Sequence, residues 1–209
     1  MTTSNNLFRP HIVAVGGTLR ANSSTERALK IVLKAAEEEG ATTAIISGPD
    51  LELPLYAPER SARTEAAQRL IEELRRADGV VLGSPGYHGG ISGLVKNALD
   101  YTEDMRCDVL PYFDGRAVAS IATGGGWQGA VNTLAALRGV VHALRGWNTP
   151  MGVAINTSTP LFDVDGNCLN SQIVDSLMNL GRELVEFSRM RNSWKSRRAV
   201  GEQVKVKAG

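Results

Sequence analysis

Residues Gly83 to Tyr101 read GSPGYHGGISGLVKNALDY, which is a strand end, a glycine-rich loop and a helix start in one run. Just before it, Gly79-Val80-Val81-Leu82 is the continuous apolar run of a parallel strand buried on both faces. Just after it, Ile91, Leu94, Val95, Ala98 and Leu99 recur at helical spacing, with Ser92, Lys96, Asn97 and Asp100 on the other face. The loop between them, Ser84-Pro85-Gly86-Tyr87-His88-Gly89-Gly90, carries three glycines. Glycine lets a backbone approach a flat ligand and aim amide N–H groups at it. In an open α/β sheet, ligands bind outside the carboxyl ends of the strands, where this loop must lie.

Toward the N-terminus, His11 to Gly16 (HIVAVG) predicts the first buried strand. The loop GGTLRANSST (Gly16 to Thr25) follows, then a helix over Thr25 to Glu39, closed by Gly40. Ser23 or Ser24 caps that helix and leaves unpaired N–H groups facing the loop, a ready phosphate site. An ordinary cap explains one serine; it gives no reason for four hydroxyls and an arginine within the eight residues 18–25. Ala44-Ile45-Ile46 predicts a second strand. A loop with Pro49, Pro54 and Pro58 then crosses one end of the sheet, and a helix over Thr64 to Arg76 leads back to Gly79.

Beyond Tyr101, the stretch Thr102 to Asp114 carries Met105, Leu110, Tyr112 and Phe113, either buried against the sheet or exposed at a subunit contact. Arg116 to Thr123 is the fourth strand and ends in a second glycine cluster, Gly124-Gly125-Gly126. A helix over Ala130 to Leu144, a fifth strand within Trp147 to Asn156 and a last helix over Asn170 to Arg189 complete the pattern. This alternation implies βαβ units and a parallel sheet of order 2-1-3-4-5. The expected organisation is one domain over residues 1–190 and a basic tail over 191–209, solvated or docked on a neighbouring subunit.

Composition narrows the function. A net charge of +1, from 23 basic and 22 acidic residues, gives no global field that would draw in nucleic acid or a membrane surface. Met1 to Arg9 is polar, and no apolar run approaches the length of a membrane span, so a cytoplasmic protein with a small-molecule partner is expected. Cys107 and Cys168 stand far apart, as do His11, His88 and His142, which argues against a metal site. The acidic turn at Phe162 to Asn167 lacks the following glutamate that a calcium loop requires.

At the residue level the chain resembles the NADPH-dependent FMN reductase family. The matching pieces are GTLRANSST (Gly17 to Thr25), SPGYHGGISGLVKNALDY (Ser84 to Tyr101) and TGGGWQG (Thr123 to Gly129). The resemblance covers residues 11 to about 190 and implies a flavodoxin-like three-layer sandwich with a noncovalent FMN at the carboxyl edge of the sheet. It places Thr18, Arg20, Ser23, Ser24 and Thr25 at the phosphate. Pro85, Gly86, Tyr87, His88 and Gly89 would line the isoalloxazine, and Thr123, Gly124, Gly125 and Gly126 its pyrimidine edge. It further implies NADPH or NADH as hydride donor, a small acceptor such as free flavin or quinone, and a homodimer or homotetramer. Flavin chemistry needs no catalytic side chain of the protein's own. Arg20 has a competing claim, the 2′-phosphate of NADPH. The sequence departs from the family at His88, where asparagine is common, and at Ser92, where proline is common. The alternative reading is a flavodoxin-type electron carrier that binds FMN without nicotinamide activity.

Overall fold

The computed structural model describes residues 8–207, with side chains to Arg198; most of Met1 to Arg9 and the end of the tail lie outside the described residues. β1 (His11–Gly16) is an interior strand: it pairs in parallel with β2 (Thr42–Ile46) on one side and β3 (Gly79–Tyr87) on the other. Next to β3 lies β5 (Ala117–Gly124), also parallel. Because these strands are covered on both faces, alternate residues serve different cores. Val13, Val15, Val80, Leu82 and Val118 pack toward α2 (Glu65–Arg76), α3 (Gly93–Asp100) and α4 (Trp127–Ala143). Ile12, Ala14, Val81, Ala119 and Ile121 pack toward α1 (Ser24–Glu38) and α5 (Ser171–Lys207). The three layers and the doubly wound order therefore stand as expected.

The sheet has seven strands rather than five, for two local reasons. The expected fifth strand is split: β6 (Trp147–Asn148) and β7 (Val153–Asn156) each pair in parallel with β5. Pro150 between them has no N–H for the ladder, and Thr149 turns its hydroxyl onto the Met151 carbonyl at 2.6 Å. The second reason lies in the glycine-rich stretch. Pairing with β1 ends at Gly16 and Gly83, yet β3 runs on beside β5 through Pro85 to Tyr87. There it folds back as the two-residue strand β4 (Gly90–Ile91). Part of the expected loop is thus strand.

Met105 and Phe113 are fully buried, so that stretch packs on the sheet. The last helix does not stop near Arg189 but continues through Lys207, with the guanidinium of Arg191 over the Trp194 ring at 4.8 Å from its centroid. No helix among the described residues is long and apolar enough to cross a membrane.

The proline-containing loop is strapped down by charge. Arg63 donates to both Asp104 oxygens, at 2.7 and 2.9 Å, and Tyr56 donates to the same carboxylate at 3.1 Å. Hydrogen bonds from Arg63 hold the Asp104 carboxyl below the usual carboxylate range. A group depressed in the folded state stabilises fully above its ordinary pKa, and that stability is lost as pH falls through the lowered value. Asp104→Asn is therefore expected to cost roughly 2 kcal/mol at neutral pH. Urea denaturation at neutral pH and below about pH 3 checks this, since the difference between variant and parent should shrink in acid. A constant difference would show that the carboxylate charge is not what holds the loop.

Candidate functional site

Three loops leave the carboxyl ends of β1, β3 and β5 side by side and meet the N-terminus of α1. Gly16 allows the first approach. Its φ is +149°, and a Cβ there would stand 1.9 Å from the Gly83 carbonyl oxygen. That same oxygen accepts the Gly17 N–H at 3.1 Å, so β1 and β3 touch backbone to backbone where the first loop begins.

The first loop is folded by its own polar groups. The Thr18 hydroxyl accepts the Arg20 N–H at 3.2 Å, and the Glu26 carboxylate accepts the Asn22 N–H at 2.9 Å. Lys30, at 2.6 Å, neutralises that carboxylate. Ser23 caps α1 by accepting the Glu26 N–H at 3.3 Å, which leaves its own O–H free to donate. The N–H groups of Ser24 and Thr25 have no intrahelical acceptor, and the helix dipole adds partial positive charge at this end. Buried Thr25 is bound through its hydroxyl to that of Thr123 at 2.7 Å, tying the first loop to the third. Thr157, just past β7, donates both its N–H and its hydroxyl to the Gly124 carbonyl, at 2.7 and 3.0 Å. Behind the second loop, a Cβ on Gly86 would lie 2.6 Å from the Thr133 hydroxyl and 2.9 Å from the Gly129 carbonyl oxygen, so α4 packs directly on the β3 backbone.

The result is a cleft of about 190 Å³. Thr18, Arg20 and Ser23 to Thr25 line it from the first loop, Pro85 to Tyr87 from the second, and Thr123 to Gly125 with Thr157 from the far side. A wider cleft of about 550 Å³ adjoins it across Thr18, Arg20 and Tyr87 and reaches Leu19, Ser92 and Leu94. Arg20 is exposed, and its guanidinium makes no hydrogen bond or ion pair among the described residues. The structure thus brings most of the sequence-predicted residues together.

Three predicted residues stand elsewhere. Gly126 is the N-cap of α4, outside the cleft wall. His88 and Gly89 form the tip of the β3–β4 hairpin, between the paired residues Tyr87 and Gly90, with φ of +53° and +80°. Two left-handed residues in a two-residue loop make a type I′ turn, whose first position favours asparagine. The departure from asparagine at His88 thus falls on a backbone conformation. His88→Val is expected to destabilise the protein by roughly 1–2 kcal/mol, and His88→Asn to match or slightly exceed the parent. Chemical denaturation reads both; a valine variant as stable as the parent would refute the turn assignment. Conversely, Thr157 was not anticipated. Its signal was present as the polar run Asn156-Thr157-Ser158-Thr159 directly after the last apolar strand.

The acidic turn is closed on itself: Asn167 donates to both Asp163 oxygens, at 2.7 and 2.9 Å. Those bonds hold the Asp163 carboxyl below its ordinary range. Among the described residues, no three His, Cys, Asp or Glu side chains cluster to hold a metal.

Helices on both faces of a parallel sheet, with a cleft rich in glycine and hydroxyls at its carboxyl edge, define the flavodoxin-like class of α/β proteins. The chain belongs to the NADPH-dependent FMN reductase family, which it matches over residues 10–160. It is 37% identical over 124 residues to the NADPH azoreductase of Bacillus sp. (strain OY1-2), across 59% of this chain and 64% of that protein. The chain thus spans just under two thirds of that relative's length. It is 27% identical over 192 residues to an iron-sulfur flavoprotein of Methanocaldococcus jannaschii, across 86% of this chain and 97% of the relative. Among solved structures, the flavoenzyme NAD(P)H:(acceptor) oxidoreductase FerB of Paracoccus denitrificans shares the fold, with a TM-score of 0.72 at 21% identity over 87% of this chain and 98% of that one.

Proposed function

We propose that the chain is an NAD(P)H-dependent FMN reductase working in the cytoplasm as a homodimer or homotetramer. The observation that carries this reading is the convergence of an arginine unpaired among the described residues, several hydroxyls and a helix N-terminus on one cleft. That donor set suits a phosphate monoester, which offers acceptors and two negative charges and no donor of its own when ionised. Arg20 would meet the phosphate from the solvent side, and Ser23, Ser24 and Thr25 from the helix side. Tyr87, more than half exposed at the mouth of the wider cleft, would flank the ring. Backbone N–H groups of the Gly124-Gly125 turn would face its polar edge and favour negative charge there. Bound FMN supplies hydride acceptance from NADPH or NADH and delivery of electrons to free flavin, a quinone or another small acceptor. The chain's own part is to hold the phosphate, orient the ring and leave the Tyr87 side open to the nicotinamide. Exposed Trp127 and Val131, one turn apart on α4, support a subunit contact on that face.

Purified protein loaded with FMN and mixed anaerobically with NADPH, then with NADH, tests the reading through flavin absorbance. Rapid bleaching is expected. Bound flavin that stays oxidised would instead indicate an electron carrier, and failure to bind FMN would overturn both readings.

A further inference from the structure

A third cleft, of about 510 Å³, also has Arg20 in its wall but not Tyr87. It is lined by Arg20, Ser24, Arg27, Thr157, Thr159 and Phe162, among others. The Arg27 guanidinium lies over one face of the Phe162 ring, 5.5 Å from its centroid, and donates one N–H to the Asp163 carbonyl at 3.1 Å. That carbonyl is neutral, so the guanidinium charge has no carboxylate partner among the described residues. Arg27 also borders a neighbouring groove of about 350 Å³, which continues along α1 past Lys30 to Lys34. Lys30 is already paired with Glu26 at 2.6 Å, whereas Lys34 makes no ion pair among the described residues. Asp165 is the acidic residue lining that groove. Arg27 and Lys34 thus stand two turns apart on one face of α1, neither in an ion pair among the described residues, with an aromatic ring beside the first, a donor set that suits an anion attached to a flat base.

Arg20 lines all three clefts, so they form one track along the carboxyl edge. A dinucleotide whose nicotinamide entered at Tyr87 would have Arg20 within its course and the Phe162 cleft beyond it for its adenosine. We infer that Arg27 and Lys34, with Phe162, form the adenosine 2′-phosphate subsite that selects NADPH over NADH, an inference that rests on the flavin reductase reading. In this assignment Arg20 is released from the 2′-phosphate and serves the phosphates nearer the flavin.

The test is calorimetric titration of the FMN-loaded protein with adenosine 2′,5′-bisphosphate and with adenosine 5′-monophosphate. The bisphosphate is expected to bind roughly tenfold or more tightly than the monophosphate, as one charge-assisted contact would give. Arg27→Gln should erase most of that preference, and Lys34→Gln, which removes no hydrogen bond or ion pair among the described residues, should reduce it several-fold. Asp165→Asn should increase it by removing a like charge, a change in the opposite direction that a general loss of structure would not produce. Equal affinities for the two nucleotides in the parent protein, or a full preference in Arg27→Gln, would overturn the subsite while leaving the flavin reductase reading intact. A protein that cannot be loaded with FMN would instead remove the reading on which the inference rests.

Discussion

Gly16→Ala is expected to destabilise the protein by about 3 kcal/mol or more and to abolish FMN loading in the fraction that folds. The added Cβ meets a backbone carbonyl at 1.9 Å, and no side-chain rotation relieves such a clash. The φ of +149° adds a conformational cost that glycine alone avoids. The only relief is to part β1 from β3, which breaks the 3.1 Å bond from the Gly17 N–H to the Gly83 carbonyl and moves the first loop off the cleft. A total stability of roughly 5–15 kcal/mol makes the loss visible as a large drop in the urea midpoint. A variant with parental stability and normal flavin uptake would show that the strand ends do not need this close approach.

Arg20→Ala is expected to act in the opposite manner, leaving stability unchanged and weakening FMN binding by about 10- to 100-fold. Arg20 is exposed and its side chain makes no hydrogen bond or ion pair among the described residues, so its removal is expected to cost the apo fold nothing measurable. The same solvent exposure makes its contribution sensitive to ionic strength. Fluorescence titration of FMN at low and high salt therefore carries the test: the parent's affinity should fall with salt more steeply than the variant's. An alanine variant with parental affinity would move the phosphate contact to the helix N-terminus alone. Comparing the two variants separates the residue that shapes the cleft from the residue that fills it with charge.

The buried strands were readable because β1, β3 and β5 are covered on both faces, and such strands appear as unbroken apolar runs. The helices between them announced their buried stripes, and the first its serine cap at Ser23; that Thr64 and Ser92 also accept an N–H of the first turn is visible only in the structure. The boundary at Ser84 to Tyr87 was misread because proline and glycine ordinarily end a strand. Here β1 has already stopped, and Pro85 sits where β3 has one free side. The hairpin tip His88-Gly89 was equally hidden, since histidine is not the residue that usually signals a left-handed turn.

What the sequence determined by itself was the alternation of apolar runs and amphipathic helices, and with it the layer order and the edge at which the hydroxyls and glycines collect. Those are local properties, set by periodicity and by the capping chemistry of single residues. What only the tertiary structure decided was which of those groups share a wall. Thr25 and Thr123 stand 98 positions apart and meet at 2.7 Å. Thr157 reaches the Gly124 carbonyl across 33 positions. Arg27 faces the Phe162 loop across 136 positions to Asp163. The closure of such contacts depends on how far strands twist and how closely backbones pack, and neither quantity is written in the spacing of residues along the chain.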